Sequence, residues 1–175
     1  CWATDLLPNE IKEENIYIKR DNCIYWCGSY SAGNNPELRK FVEESEKNGI
    51  SVKFNNPWHR PLPYEKVQEL TIKSKLSPDI RCSGDPNKIR QGETGTCHKS
   101  IGYIPCRILK AISYGHLGIT NSKRVYELLE DESKLFYDGI KECENYELIK
   151  EQMKIVKEKH TYVNRINDLL EVLKK

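Results

Sequence analysis

No apolar run in this sequence approaches the ~18–20 residues that a bilayer-spanning helix needs, and its first residues lack the basic and apolar regions of a secretory leader. The expectation is a soluble, cytoplasmic chain with no transmembrane segment. A block of one charge sign is also missing: 28 basic and 26 acidic side chains nearly cancel and are interspersed. That argues against nucleic acid or anionic lipid as a partner and for a small-molecule ligand. Close Cys-x-x-Cys pairs are absent, so Cys82, Cys97, His98 and Cys106 make no specific zinc pattern and no metal is expected. Seven cysteines are an odd number, and Cys23, Cys27 and Cys106 lie in apolar contexts, which predicts reduced, buried thiols. No G-x-G-x-x-G with an acidic residue ~20 positions on is present, so a redox dinucleotide enzyme ranks last. There is no internal repeat, no low-complexity stretch and no initiator Met; Cys1 opens the chain, with Trp2, Leu6 and Leu7 crowded behind it. A segment cut from a longer polypeptide, without its upstream domain, is the reading.

What is present is alternation. The run NCIYWCG (22–28) is apolar and stops at a glycine; PELRKFVEESEKNG follows, with Leu38, Phe41 and Val42 at helical spacing and Gly49 as its stop. ISVKF (50–54) reads as a second strand, 64–76 as a helix with Val67, Leu70, Ile72 and Leu76 on one face, and DIRC (79–82) as a weaker third strand. A long glycine-bearing loop spans 83–101, of a kind that is often functional. Pro105 then opens a helix stopped by Gly115, LGIT (117–120) reads as a strand, SKRVYELLE as a helix capped by Ser122, and KLFY (134–137) as a last strand. Helices over 145–159 and 162–174 close the chain, the second with Val163, Ile166, Leu169, Leu170 and Val172 on apolar faces. The fold class expected is α/β, a Rossmann-like parallel sheet with helices on both faces and two C-terminal helices. One domain covers 1–175, with 1–20 as a linker leading in and 145–175 as the closing helices.

In such a sheet, ligands collect beyond the carboxyl ends of strands, where helix N-termini favour phosphate. Gly28, Ser29, Ser31 and Gly33 form one such loop, with small residues for close approach and hydroxyls for an anion; an ordinary tight turn explains it about as well. The second place is Tyr103, Ile104, Pro105, Cys106 and Arg107. A cation in a first helical turn gains nothing from the helix dipole, so Arg107 calls for a bound diphosphate or a neighbouring carboxylate. Thr120, Asn121 and Ser122 can donate at the same sheet edge, although Ser122 is more simply a cap. Arg81 and Ser83, just past the third strand, face either a base or sugar or only a turn. His160 reads as structural, at the junction of the last two helices, and Trp58 and His59 either stack on a ligand or, more simply, pin their loop. No Ser/His/Asp or Cys/His arrangement is defensible from spacing.

Two stretches, YIPCRILKAISYGHLGITNSKRVYELLE and EQMKIVKEKHTYVNRINDLLEVL, carry a resemblance. Through Gly115, Thr120, Asn121, Glu127, Leu128, His160, Thr161, Tyr162 and Arg165 the chain resembles the C-terminal, nucleotide-sugar-binding half of a GT-B type glycosyltransferase. The resemblance implies transfer of a sugar from a nucleoside-diphosphate donor to an unknown acceptor, with no cofactor. It implies that Arg107 and the N–H groups near Pro105 and Cys106 hold the diphosphate. It further implies that the 28–33 loop faces the donor and that 81–85 approaches the base. The acceptor site and catalytic base would belong to an absent N-terminal domain. Many relatives carry a Glu for the donor ribose where this chain has Lys110, which then reads as a second diphosphate contact or a solvated helix lysine. The 87–100 insertion has no counterpart in the family pattern. A nucleotide-binding or structural subunit without transferase activity is the alternative.

Overall fold

The computed structural model describes residues 3–28, 36–57, 59–80, 106–129 and 138–174. Strand β1, Cys23–Cys27, and strand β2, Ser51–Asn55, pair in parallel in a register running from Cys23 opposite Ser51 to Cys27 opposite Asn55. Between them lies helix α1, Pro36–Lys47, which turns Leu38 and Phe41 into the core. Gly49, at φ 75°, ends that excursion with the left-handed turn a glycine adopts without strain. The first strand-helix-strand unit is therefore as the sequence pattern predicts. Helix α2, Tyr64–Lys73, follows, shorter at its end than the periodicity suggested.

Beyond this unit the fold is mixed α/β, and among the described residues the sheet has two strands. Among the described residues of the third and fourth expected strands there is a single parallel bridge, between Asp79 and Thr120, with Asp79 N donating to Ile119 O at 2.8 Å. Local chemistry explains the shortfall. Pro78 has no N–H to offer a ladder, and Gly118 N donates instead to the Gln152 side chain at 2.7 Å. The layer still continues from β1, because Lys75 N donates to Cys23 O at 2.8 Å and Tyr25 N to Ser74 Oγ at 3.1 Å. Arg81, Cys82 and the 134–137 run lie outside the described residues.

The core is centred on helix α3, Cys106–Ser113, whose Ile108, Leu109, Ala111 and Ile112 are wholly buried. Helices α4, Lys123–Leu128, and α5, Asp138–Lys141, are short. Helix α6, Tyr146–Lys159, packs on α3 and brings Ile149, Met153 and Val156 into the same core. Gly115 terminates α3 at φ 81°, and a Cβ there would stand 2.6 Å from the Asn15 carbonyl. Both the turn and the close approach demand glycine.

Residues 3–20, expected as a linker, lie on this core instead. They contain two short 3-10 turns, Pro8–Glu10 and Glu13–Tyr17, and bury Ile11 and Ile16. Arg20 fixes them in place. Its Nη1 donates to Ile72 O at 2.5 Å, and its Nη2 donates to the carbonyls of Asn15, Tyr114 and Gly115, each at 3.0 Å. Thr4 bridges Thr161 in parallel, with Thr4 N donating to His160 O at 2.9 Å.

The last helix, α7, Tyr162–Leu173, departs from expectation: none of its residues is buried, and Ile166, Leu169 and Leu173 are 56%, 59% and 72% exposed. No described helix is long and apolar enough to cross a membrane.

Candidate functional site at the carboxyl end of strand β1

A cleft of about 190 Å³ opens where β1 ends, between the first turn of α3 and the face of α2. It is lined by Trp26 and Cys27 from β1, Tyr64 and Gln68 from α2, and Arg107 and Lys110 from α3. Arg107 and Lys110 lie three positions apart on α3, so one helix face delivers both cations. No described carboxylate lines the cleft.

The Arg107 guanidinium lies over the Trp26 indole, 5.4 Å from the ring centroid, and Nη2 donates to Cys27 O at 2.6 Å. Among the described residues no carboxylate pairs with it. Gly28 leaves them room: a Cβ at that position would crowd both, standing 3.0 Å from Arg107 Nη2 and 3.1 Å from Trp26 Nε1. Burial pushes the Cys27 thiol pKa up, against a smaller opposing effect of Arg107, so Cys27 is a neutral thiol. The Cys106 thiol is free and half-buried.

Lys110 is held more tightly than a solvated helix lysine. Its Nζ lies 3.2 Å from Asp5 Oδ2 and 4.9 Å from the centroid of the Tyr64 ring. Asp5 in turn accepts from the Tyr114 hydroxyl at 3.1 Å, and that hydroxyl accepts from Gln68 Nε2 at 2.9 Å. Burial, then the Asp5 charge, pushes Tyr114 well above the ordinary tyrosine range. The polar wall of the cleft is thus a connected set running from residue 5 to α2 and α3.

Of the residues singled out from sequence, Cys106, Arg107 and Lys110 line this cleft and Gly28 adjoins it. Thr120, Asn121 and Ser122 do not line it. Thr120 is buried, its Oγ1 donating to Asp79 Oδ2 at 3.3 Å, and Asn121 Nδ2 donates to Glu37 of α1. Ser122 occupies the N-cap position of α4 but its side chain makes no capping bond; its buried Oγ has no partner among the described residues. Ser29, Ser31, Gly33, Arg81, Ser83, Tyr103, Ile104 and Pro105 lie outside the described residues, as do Trp58, Cys82, Cys97 and His98. His160 is buried at the α6–α7 junction, with Nδ1 2.6 Å from Arg165 Nη2. His59 is exposed in its loop. Among the described residues no group of three or more His, Cys, Asp or Glu side chains is arranged to hold a metal ion.

Sequence reasoning missed Trp26, Tyr64, Asp5 and Tyr114. Trp26 alone had a signal, an indole set one position before the strand's closing Cys27-Gly28, yet an apolar strand residue reads first as core.

No family model, curated protein or solved structure matches this chain. The geometry of the cleft therefore carries the functional argument.

Proposed function

We propose that this chain is the donor-binding half of a glycosyltransferase, holding the diphosphate of a nucleoside-diphosphate sugar in the cleft beyond β1. The observation that carries this reading is Arg107: a guanidinium from the first turn of α3, at the carboxyl end of a parallel strand, in an open cleft where no described carboxylate pairs with it, Asp5 being taken by Lys110. Lys110 adds a second cation one helical turn on. Together they suit a ligand with two linked anionic groups, and fixed donors stabilise the charge that develops on a departing diphosphate. The cleft is small beside the ~300–1,000 Å³ of sites that enclose a whole drug-sized ligand. A nucleotide sugar would place its diphosphate here and extend beyond, toward the acceptor half the reading assigns to another domain. Needing no metal, the diphosphate would be held by protein cations and N–H groups.

One observation favours a second reading, a subunit that keeps the fold without transferase activity. Arg107 has already found an internal partner in Cys27 O. Calorimetric titration with UDP, GDP and their sugar conjugates separates the two. The donor reading expects a preference for one diphosphate and a loss of ~1.5–3 kcal/mol in Arg107→Ala, the worth of a hydrogen bond to a charged group. A well-folded chain that binds none of them overturns it.

A further inference from the structure

Trp26 is 6% exposed, and its indole Nε1 is buried with no hydrogen-bond partner among the described residues. Buried tryptophan N–H groups in folded proteins nearly always find an acceptor, so an orphan asks for an explanation. Its surroundings supply one. Trp26 Nε1 and both terminal nitrogens of Arg107 converge beside Gly28, at 3.1, 3.0 and 3.3 Å from the point where a Cβ would be. That point is too near the Gly28 Cα to hold a ligand atom, but it shows three nitrogens gathered around one small space kept open by the missing side chain. Donors outnumber acceptors there: the Cys27 carbonyl takes one Arg107 N–H at 2.6 Å, and the indole N–H has none.

We propose that the Trp26 indole N–H and the Arg107 guanidinium form a two-part receptor for a phosphoryl oxygen, with Trp26 a ligand-binding residue. This rests on the donor-binding reading and deepens it by naming the groups that grip the phosphate. A phosphoryl oxygen offers only lone pairs, the complement of a site with surplus donors. The N–H is shielded from solvent, with the guanidinium 5.4 Å from the indole centroid. It gains its acceptor when the anion draws the half-buried Arg107 off the indole, and Gly28 leaves room for that movement. The aromatic face then serves as the resting seat of the cation, and the indole edge as the second donor.

The test follows the indole N–H resonances of Trp2, Trp26 and Trp58 by NMR while inorganic pyrophosphate, then UDP and GDP, are titrated in. The Trp26 signal is expected to move most, and Trp26→Phe, which keeps an aromatic ring against Arg107, is expected to weaken pyrophosphate and nucleotide binding about tenfold. Pyrophosphate binding that leaves the Trp26 resonance unmoved overturns the receptor, as does a folded Trp26→Phe that binds as tightly as the parent or a parent that binds no pyrophosphate. Nucleotide binding without a Trp26 shift also overturns the receptor while sparing the donor reading. A Trp26 shift with pyrophosphate but none with UDP or GDP sustains the receptor and sinks the donor reading. The wild-type resonance keeps the test decisive even where the Phe variant fails to fold.

Discussion

At the scale of single residues, the fold depends on buried polar groups with fixed partners. His116 is 2% exposed, with Nε2 2.8 Å from Thr71 O and 3.0 Å from Arg20 Nη1. Burial, and then the adjacent guanidinium, lowers its pKa to about 3. The sign follows directly. The folded protein resists protonation that the unfolded chain accepts near pH 6.5, so this contribution to stability is complete above about pH 6.5. It is lost as pH falls toward 3, at up to about 1.4 kcal/mol per pH unit. The imidazole resonances of His116 are expected to stay at their neutral positions down to pH 4 or to global unfolding; a titration midpoint near 6.5 would contradict the buried arrangement. Arg20 is likewise lowered to about 10 by burial and remains a cation at neutral pH, which is why its four backbone acceptors matter. None of this was legible in the sequence. His116 had no neighbour in the chain that named its partner, because Thr71 and Arg20 reach it only through the tertiary fold.

Among the secondary elements, what was legible divides along local chemistry. The described parts of 22–55 were read with small errors at the ends, since strand, helix, stop glycine and strand each carry their own signal. Of the strands expected at 79–82 and 117–120, the described residues form one bridge, since Pro78 and the Gly118–Gln152 bond withhold the ladder's donors. The two 3-10 turns were missed because they have no 3.6-residue period to detect. Cys106 and Arg107 drew notice by their place at a helix start and Lys110 through the family resemblance, and all three line the candidate cleft, whereas the orphan indole of Trp26 is visible only in three dimensions. Helix α7 was correctly placed but not correctly packed. With no buried residue, it is held largely at its N-terminus, where Thr161 Oγ1 accepts from Asn164 N at 3.3 Å and Asn164 Oδ1 accepts from Thr161 N at 2.8 Å. Thr161→Ala is expected to lower stability by about 1 kcal/mol in urea titration, up to about 2 given the burial of this cap. Hydrogen exchange should show α7 amides opening before those of α6, and still earlier in the variant. Equal protection of the two helices in the parent would mean that the apolar side of α7 is covered in solution.

For the molecule as a whole, the arrangement of residues 3–20 decides the most. Read as a linker, they are instead part of the core and of the cleft: Ile11 and Ile16 are buried, Arg20 joins the turn at 13–17 to the ends of α2 and α3, and Asp5 holds Lys110 at the site. A chain beginning at Asp21 is expected to lose its cooperative thermal transition, because the loss of Ile11 and Ile16 uncovers core side chains and leaves the Gly115 and Tyr114 carbonyls without Arg20. A sharp transition within a few degrees of the parent would refute that role. The pairing of Thr4 with Thr161 carries a mechanical consequence. The two segments run in the same direction, so tension drawing the start of the chain away from its end loads their contact in shear, not by peeling. That contact and the Thr4 N to His160 O bond close the chain into a loop, and a pull on its two ends meets this clasp before it reaches the β1–β2 pair.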